Sequence, residues 1–345
     1  MIVVRAVNER DLDDVFALAM QVGPGMTTLK ADRRALGERL EIACASFSEQ
    51  NSLAERDYLF VMEDVSAKRL VGICAIKGAV GLDEPFYSYR IGTLVHSSTK
   101  LKVFSRLDTL YLSHDLTGCA ELCSLYLHPE YRSGGNGKLL SKSRFLFIAQ
   151  FPHLFSEKVF AEMRGFQHAD GSSPFWDSLG RHFFKMDFHL ADDLCSAGKK
   201  AFIAELMPRH PLYASYLSRE AQDAIGKTHV DTAPARRLLE QEGMYYEGYV
   251  DIFDGGPVLQ ARVSELRALR ESALAIVEPA QSADADSDTV LISNTSMSDF
   301  RVAAAPAQPK LDRIALSTEL QDMLARETGD PVRTMLMNVK KGVYA

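Results

Sequence analysis

The sequence lacks the features that define several classes of protein. It contains no stretch of about 18 apolar residues, the length that a membrane-spanning helix needs, and its first residues, MIVVRAVNER, do not resemble a signal peptide. It also lacks an excess of basic residues, because 39 lysines and arginines against 46 acidic residues leave a net charge of −7. Broad affinity for nucleic acid requires a basic surface. We therefore expect a cytoplasmic protein that binds neither membranes nor nucleic acid.

Cysteine is sparse, and its spacing does not indicate a metal site. The five cysteines are odd in number and scattered along the chain. Cys119 and Cys123 are close in sequence, but no second pair of ligands accompanies them, as a structural zinc site requires. We expect reduced, mostly buried thiols and neither a metal nor a flavin.

The composition indicates a large folded domain followed by a smaller one. Of the 345 residues, 46% are hydrophobic and 25% are charged, which is ordinary for a globular protein. Near residue 278 the composition shifts to small and acidic residues, which is typical of an exposed linker. We predict a main domain over residues 1–277, a linker over 278–289 and a β-rich C-terminal subdomain over 290–345.

One stretch has the pattern of a phosphate-binding loop. Residues 122–127 predict a short strand and residues 138–150 a helix, and between them lies the pattern Arg132-x-x-Gly135-x-Gly137. Backbone N–H groups at a helix N-terminus have no partner within the helix, and glycines let a phosphate approach them closely. The stretch therefore predicts a phosphate site between a strand and a helix.

Two common phosphate-binding motifs do not fit these residues. A dinucleotide-binding motif requires a third glycine where Leu140 stands, and a P-loop requires Ser or Thr after Gly137 and Lys138, where Leu139 stands. The pattern instead resembles the loop of the GNAT superfamily of acyl-CoA N-acyltransferases, whose loop amides bind the pyrophosphate of coenzyme A. The alternative, a loop that serves only as a turn, is disfavoured by the flanking strand and helix.

The elements predicted around this loop also resemble the GNAT order. Over residues 2–76 the periodicity predicts a strand, two helices and two further strands. The resemblance implies an α/β (α+β) fold, a mixed and mostly antiparallel sheet flanked by helices, to which a small β-rich C-terminal appendage is added. Beyond the loop we predict strands at 158–164, 202–207 and 245–253 and a helix at 232–242.

Longer runs of residues carry a narrower resemblance. Over about residues 1–275 the chain resembles the arginine N-succinyltransferase family. The matching runs are 71–76, 89–96, 114–118, 121–123, 136–145, 161–165, 173–176, 201–208 and 251–257. Such long runs are more specific than a glycine loop alone. Because the chain retains the loop residues 136–142, it resembles the active type of subunit.

This resemblance implies an activity, its substrates and two site residues. The family transfers the succinyl group of the co-substrate succinyl-CoA to the α-amine of L-arginine, which gives N2-succinylarginine and CoA in arginine catabolism, with no further cofactor. Its proton donor corresponds to His229, and its succinyl-CoA contact corresponds to Leu125. Some members assemble from related subunits, so the resemblance is compatible with a homo- or hetero-oligomer.

The chemistry of acyl transfer is consistent with these positions. The thioester carbonyl must be polarised, and since the Leu125 side chain is apolar, its backbone N–H must supply the hydrogen bond. The leaving thiolate needs a proton, which the imidazole of His229 would donate near neutral pH; the alternative is a surface histidine at a turn. The residues expected to contact coenzyme A in the loop are Arg132, Gly135, Gly137 and Lys138.

Charged residues near the ends of predicted strands are candidates for the substrate pocket. Carboxylates suit the guanidinium of arginine, because paired N–H···O bonds fit its fork, and the candidates are Glu162, Glu205 and Asp254. The succinyl carboxylate requires a cation, for which the candidates are Arg90 and Arg164. A structural role is the alternative for each. A GNAT enzyme acting on another amine, or a catalytically silent partner subunit, is the alternative function.

Overall fold

The computed structural model describes residues 1–22, 28–188, 190–191, 194, 201–208, 210–280, 288–308 and 312–339. The strands in these ranges are β1 (Ile2–Ala6), β2 (Asp57–Asp64), β3 (Arg69–Lys77), β4 (Ser88–Ser98), β5 (Val103–Ser113), β6 (Ala120–Leu127), β7 (Lys158–Glu162), β8 (Leu212–Tyr213), β9 (Tyr245–Val250), β10 (Pro257–Arg262), β11 (Ala273–Pro279), β12 (Thr289–Asn294), β13 (Arg301–Pro306), β14 (Arg313–Leu316) and β15 (Pro331–Leu336). The helices are α1 (Leu12–Ala19), α2 (Arg33–Phe47), α3 (Asn136–Gln150), α4 (Pro174–Ser178), α5 (Gly180–Phe184), α6 (Ala201–Leu206), α7 (Arg219–Ala224), α8 (Ala233–Gln241), α9 (Arg267–Glu271) and α10 (Thr318–Leu324).

The strands form one sheet in the order β14-β11-β15-β12-β13-β1-β2-β3-β6-β7-β10-β9-β4-β5-β8. The pairs β6–β7 and β11–β14 are parallel, and the other described pairs are antiparallel. The predicted class, a mixed and mostly antiparallel sheet flanked by helices, is confirmed. Within the described ranges, every helix is too short or too polar to cross a bilayer.

The C-terminal strands continue the main sheet. β13 pairs with β1, where Ala303 lies opposite Val3, and β11 pairs with both β14 and β15. The part after α9 is β-rich, as predicted, and it begins with β11, a strand that the sequence analysis did not predict. β11 ends at Pro279 and β12 begins at Thr289, so most of the predicted linker, residues 281–287, lies outside the described residues.

Successive side chains of β2 pack into two different cores, one on each face of the sheet. Tyr58, Phe60 and Met62 belong to the core on the α3 side, whereas Leu59 and Val61 belong to the core beneath α1 and α2. Successive side chains of a strand point to opposite faces, so a strand that is apolar at every position is buried on both. The run therefore places β2 in the interior of the sheet.

Helix α3 is buried along most of its length. The residues from Leu139 to Ala149 are all buried, and the ring of Phe147 lies 5.2 Å from that of Phe60 and 5.0 Å from that of Phe300. Edge-to-face contacts of this kind add to the stabilisation from apolar burial. They fix α3 between the main strands and the C-terminal strands, and with it every side chain that α3 presents to the sheet.

The strand predicted at residues 202–207 is wrong, because helix α6 (Ala201–Leu206) occupies this segment. Ile203 and Met207, four residues apart, are buried, whereas Glu205 and Leu206 are exposed. That spacing places one side of a helix against the core. A short apolar run fits a buried strand and a buried helix equally well, and the core that contains Ile203 and Met207 selects the helix here.

A buried network of charges joins α3 to the C-terminal half of the chain. Lys142 Nζ donates to Glu242 Oε1 at 2.6 Å, and Arg267 Nη1 donates to the same oxygen at 3.0 Å. Each of these three residues is at most 2% exposed. Arg267 Nη2 also donates to the carbonyl of Leu336 on β15 at 2.7 Å. Arg267 Nε also donates to Glu271 Oε2 at 2.7 Å, so Glu242 is the carboxylate that Lys142 and Arg267 share, and it joins segments far apart in sequence.

Removal of the Glu242 carboxylate should destabilise the fold strongly. In Glu242→Leu, Lys142 and Arg267 stay buried without their shared partner, so the free energy of unfolding should fall by about 3–5 kcal/mol. Urea denaturation followed by circular dichroism measures this change. The control is Glu38→Ala, which removes an exposed pair with Arg34 and should leave the midpoint almost unchanged. An equally small change in Glu242→Leu would contradict the structural role of the network.

Candidate active site

A gap opens in the sheet between the parallel strands β6 and β7. Their paired residues are Ala120 with Val159 and Glu121 with Phe160, while β6 continues to Leu127. The strands therefore separate beyond Glu121, and a cavity of about 610 Å³ lies there. Its volume is in the range of small-molecule sites.

A β-bulge in β6 borders this cavity. On β3, Ala75 pairs with Cys123 and Ile73 pairs with Tyr126. Two residues of β6, Ser124 and Leu125, therefore lie opposite a single residue of β3, Cys74. Ser124 has a φ of 53°, a left-handed conformation that is unfavourable for a residue with a Cβ. A bulge turns backbone groups out of the regular ladder, and both of its residues line the cavity.

An ion pair on the α2 side holds the bulge. Arg39 Nε donates to Asp57 Oδ2 at 2.7 Å, and Arg39 Nη1 donates to Ser124 Oγ at 3.0 Å and to the Thr28 carbonyl. The Ser124 hydroxyl donates to the same carbonyl at 3.2 Å. Burial alone would lower the pKa of Arg39, but the carboxylate of Asp57 raises it above its usual value. These bonds stabilise the unusual backbone of Ser124 and thereby fix the position of Leu125.

The glycine loop follows β6 and leads into α3. Gly134 and Gly135 have φ values of 61° and 85°, which glycine adopts without strain, and Gly135 is the N-cap of α3. Gly137 lies in the first turn of the helix. The loop therefore lies between a strand and the N-terminus of a long buried helix, in the order that the sequence predicted.

The charged residues of the loop have contacts of their own. Arg132 Nε donates to the Leu127 carbonyl at 3.0 Å, and Lys138 Nζ donates to Asn338 Oδ1 at 2.7 Å. The loop residues are not among the described residues that line the cavity. Their contact with coenzyme A stays a prediction.

His229 lies beside the cavity at the start of a short 3-10 turn. Its backbone N–H donates to the carbonyl of Arg164, a cavity residue, at 2.8 Å. Its side chain is 14% exposed, and its Nδ1 accepts from the backbone N–H of Asp231 at 3.2 Å. Burial and the charge of Arg164 lower the pKa of His229, which the carboxylate of Asp231 opposes. The ring is therefore mainly neutral at pH 7, with its proton on Nε2.

Two of the predicted substrate residues lie in the cavity at the end of β7. Glu162 is the last residue of that strand, and Arg164 follows it. Arg164 Nε donates to Gln167 Oε1 at 3.2 Å. The gap therefore brings these two side chains to the same space as the bulge at Leu125.

Asp254 also lines the cavity, but its carboxylate bonds to the backbone. Its Oδ2 accepts from the N–H of Gly165 at 2.7 Å, and its Oδ1 accepts from the N–H of Gly256 at 2.9 Å. Burial and the neighbouring carboxylate of Asp251 raise the pKa of Asp254. Asp254 thus holds the turn after β7 against the turn before β10.

The other two predicted substrate residues lie away from the cavity. Arg90 on β4 is 59% exposed, its Nη1 lies 3.5 Å from Asp115 Oδ2, and its guanidinium lies 5.6 Å from the ring centre of Tyr249. Glu205 is exposed on α6. The structure does not bring either side chain to the bulge.

The cavity contains charged residues that the sequence analysis did not single out: Arg39, Asp57, Lys77, Glu121 and Arg144. Burial alone would lower the pKa of Lys77, but nearby Glu121 raises it above its usual value. None of the five belongs to a local motif, so only the packing of distant elements around the gap assembles them. Within the described ranges, no group of His, Cys, Asp or Glu residues is placed to hold a metal ion.

Comparisons with known proteins agree with this architecture. The family model described as arginine N-succinyltransferase beta subunit matches residues 2–268, and the model of its C-terminal domain matches residues 273–335. The arginine N-succinyltransferase of Escherichia coli strain 55989 is 49% identical over 333 residues, which are 96% of this chain and 97% of that protein. The enzyme of the same name from Shigella flexneri is 48% identical with the same coverage.

A solved structure is similar over the whole fold. Subunit AI of the arginine/ornithine succinyltransferase from Pseudomonas aeruginosa superposes with a TM-score of 0.89 at 32% identity, covering 98% of this chain and 99% of that one. Sequence and fold thus match along nearly the full length. The chain belongs to the arginine N-succinyltransferase family.

Proposed function

We propose that this chain transfers the succinyl group of succinyl-CoA to the α-amine of L-arginine and releases N2-succinylarginine and CoA, as a step of arginine catabolism. The observation that carries the proposal is the gap between β6 and β7, where a bulge at Leu125 borders a cavity lined by acidic and basic side chains. Relatives named arginine N-succinyltransferase, 48–49% identical over 96% of the chain, support it. No cofactor besides the co-substrate is part of the proposal.

The glycine loop binds the pyrophosphate of succinyl-CoA in this proposal. Its left-handed glycines and the N-terminus of α3 present backbone N–H groups, and the helix dipole adds positive potential. A Cβ at Gly135 would lie 3.3 Å from Met337 Sδ, so the loop has little room for a larger residue there. Arg132 and Lys138 add positive charge beside the phosphates.

The backbone N–H of Leu125 polarises the thioester carbonyl. Because the bulge removes Leu125 from the ladder with β3, its N–H is the group that the gap makes available to a ligand. Negative charge develops on the carbonyl oxygen as the amine attacks, so a fixed donor stabilises the transition state more than the ground state. The pair Arg39–Asp57 acts through Ser124 and positions this donor.

His229 supplies the proton for the leaving thiolate. The arginine amine attacks as the neutral base, the C–N bond forms and the C–S bond breaks. The acid in this step is the protonated ring of His229, the minor form at pH 7, which gives its Nε2 proton to the sulfur of CoA. The ring then recovers a proton from the new amide nitrogen, so that neutral amide and free thiol remain. A lowered pKa makes the imidazolium a stronger acid, and transfer to a thiolate, whose pKa is about 8.5, is downhill.

The guanidinium of the arginine substrate lies beside Glu162 in this proposal. Glu162 ends β7 and lines the cavity, and a carboxylate accepts two N–H bonds from a guanidinium in one plane. Asp254 supports this part of the cavity through its bonds to the backbone. A cytoplasmic location and an oligomer, with itself or with a related subunit, complete the proposal; the Pseudomonas aeruginosa relative is described as a subunit.

Purified protein should release thiol rapidly when it receives succinyl-CoA and L-arginine together. A thiol reagent measures the rate, and parallel reactions contain acetyl-CoA in place of succinyl-CoA, or other amines in place of arginine. Fast release only with acetyl-CoA and a different amine would assign the chain to another acyltransferase activity. No release with any pair would favour a silent partner subunit.

His229→Ala should lower kcat by about 10²–10⁴-fold, because the thiolate then leaves without its proton donor. The KM for succinyl-CoA should change little, since the loop and Leu125 are intact. Steady-state kinetics gives both values. His153→Ala removes an exposed histidine outside the site and should keep the wild-type kcat; a His229→Ala enzyme that also keeps it would remove His229 from the mechanism.

The pKa of His229 in the folded protein should lie below 6.5, because burial and Arg164 disfavour its charged form. NMR titration of the ring protons measures it, with His229→Gln to assign the signal. A folded pKa below the unfolded one means that His229 contributes stability above about pH 6.5, which is lost as the pH falls through the folded pKa. The free energy of unfolding of wild type relative to His229→Gln should therefore decrease on acidification through this window, and a midpoint above 6.5 would contradict the predicted environment.

A further inference from the structure

Arg144 is a buried cation in the cavity without an acidic partner. It stands in the middle of α3, is 2% exposed and lines the cavity. Its Nε donates to the Ser141 carbonyl at 3.3 Å, and its Nη2 donates to the Ser141 hydroxyl at 3.2 Å. Among the described residues it forms no ion pair, and its Nη1 has no hydrogen-bond acceptor.

The neighbouring buried cation, Lys142, has an acidic partner. Lys142, on the same helix and equally buried, pairs with Glu242 at 2.6 Å. A guanidinium that is buried without an anion raises the free energy of the folded state. Arg144 adds little to the stability of the fold, because both of its hydrogen bonds are to Ser141, one turn away on the same helix. Its position therefore favours a role in binding an anion from outside the chain.

Arg144 and Leu125 border the same cavity from neighbouring elements. Leu125 is two residues before the end of β6, and α3, which carries Arg144, packs against β3 and β6. A helix that connects two parallel strands runs back beside them, so α3 returns along the gap from the glycine loop. One ligand in the cavity can therefore reach both residues.

We propose that Arg144 binds the free carboxylate of the succinyl group and thereby makes the enzyme select a dicarboxylic acyl-CoA. The inference rests on the proposed function, in which the pyrophosphate lies at the glycine loop and the thioester carbonyl at Leu125. The succinyl carboxylate is two methylene groups beyond that carbonyl, within the cavity that Leu125 and Arg144 both line. A guanidinium holds a carboxylate through two parallel N–H···O bonds. The substrate thus provides the counter-charge that the protein lacks.

The other arginines that line the cavity have partners of their own, and Glu121 stabilises the charge of Lys77 there. Arg39 pairs with Asp57 at 2.7 Å, and Arg164 donates to Gln167 at 3.2 Å. Arg90, a candidate from the sequence, lies outside the cavity. Arg144 differs from these three arginines because it is buried in the cavity and has neither a carboxylate nor a side-chain amide as its partner.

The test is the donor preference of Arg144→Met, which removes the charge and nearly keeps the side-chain length. The ratio of kcat/KM for succinyl-CoA to that for butyryl-CoA is measured with saturating L-arginine; butyryl-CoA has the same four-carbon chain without the second carboxylate. The ratio should fall by about 10²–10³-fold relative to wild type, as for truncation of a buried charge pair. The Tm of the ligand-free variant should equal or exceed that of wild type, because an unpaired charge has left the interior.

Lys142→Met is the matched control. It removes the adjacent buried cation on the same helix, which has an acidic partner. Its Tm should fall, and its ratio of kcat/KM for succinyl-CoA to that for butyryl-CoA should stay at the wild-type value. The two variants thus separate two roles. Loss of a residue that binds the acyl group removes the preference for succinyl-CoA and keeps the Tm, whereas loss of a structural residue lowers the Tm and keeps the preference.

An unchanged ratio of donors in folded Arg144→Met would overturn the proposal. If that variant does not fold, Arg144→Lys keeps the charge and loses the fork, and its ratio should fall at least about tenfold; an unchanged ratio there overturns the proposal equally. A higher KM for L-arginine with an unchanged ratio of donors would place the carboxylate of arginine at Arg144 instead and would also refute it.

Failure of the proposed function is distinguishable from failure of this inference. The former appears in the wild-type protein, as an absence of turnover with succinyl-CoA and arginine. Failure of the inference about Arg144 is detected by a binding measurement that needs no turnover. Wild type and Arg144→Met are titrated calorimetrically with succinyl-CoA and with butyryl-CoA in the absence of an amine. Wild type should bind succinyl-CoA more tightly than butyryl-CoA and the variant should not; equal affinities in wild type would refute the inference whatever the acceptor is.

Discussion

The separation of two parallel strands is the constraint on which the rest of this structure depends. β6 and β7 pair over two residues each and then part, and a bulge in β6 at Ser124 and Leu125 lies where they do so. Strands in a sheet ordinarily stay paired because unpaired backbone groups are costly to bury. Here the lost pairing creates a cavity in the middle of a protein whose core is otherwise closely packed, and it leaves backbone groups for a ligand.

The gap is kept open by charges on one side and by apolar packing on the other. Arg39 and Asp57 hold the backbone of Ser124 in a conformation that it would not adopt alone, and α3 fixes the opposite face through Phe147 and its aromatic neighbours. A backbone donor that is held in this way needs no reorganisation when charge develops on a substrate oxygen. The proposed role of Leu125 in catalysis therefore depends on the rigidity of the bulge.

Buried charges in this protein fall into two groups that differ in how they are neutralised. Lys142 and Arg267 share Glu242, Arg267 also pairs with Glu271, and these bonds join α3 to the C-terminal strands. Arg144, two residues from Lys142, has no such partner within the described residues. The first group is neutralised by carboxylates of the protein itself, whereas the second is explained by a ligand that brings its own negative charge.

The sequence by itself determined the local features: the strand, glycine loop and helix at residues 122–150, most of the strands before it, and the family, which long matching runs identify. These follow from neighbours in the chain, since periodicity and glycine conformation act over a few residues. Only the tertiary structure decided that residues 202–207 form a helix, that Arg90 and Glu205 lie outside the cavity, and that Arg39, Glu121 and Arg144 lie within it. The reason is physical: such a cavity forms where distant elements fail to pair, and a charged side chain lies in it according to how those elements pack, which no local pattern records.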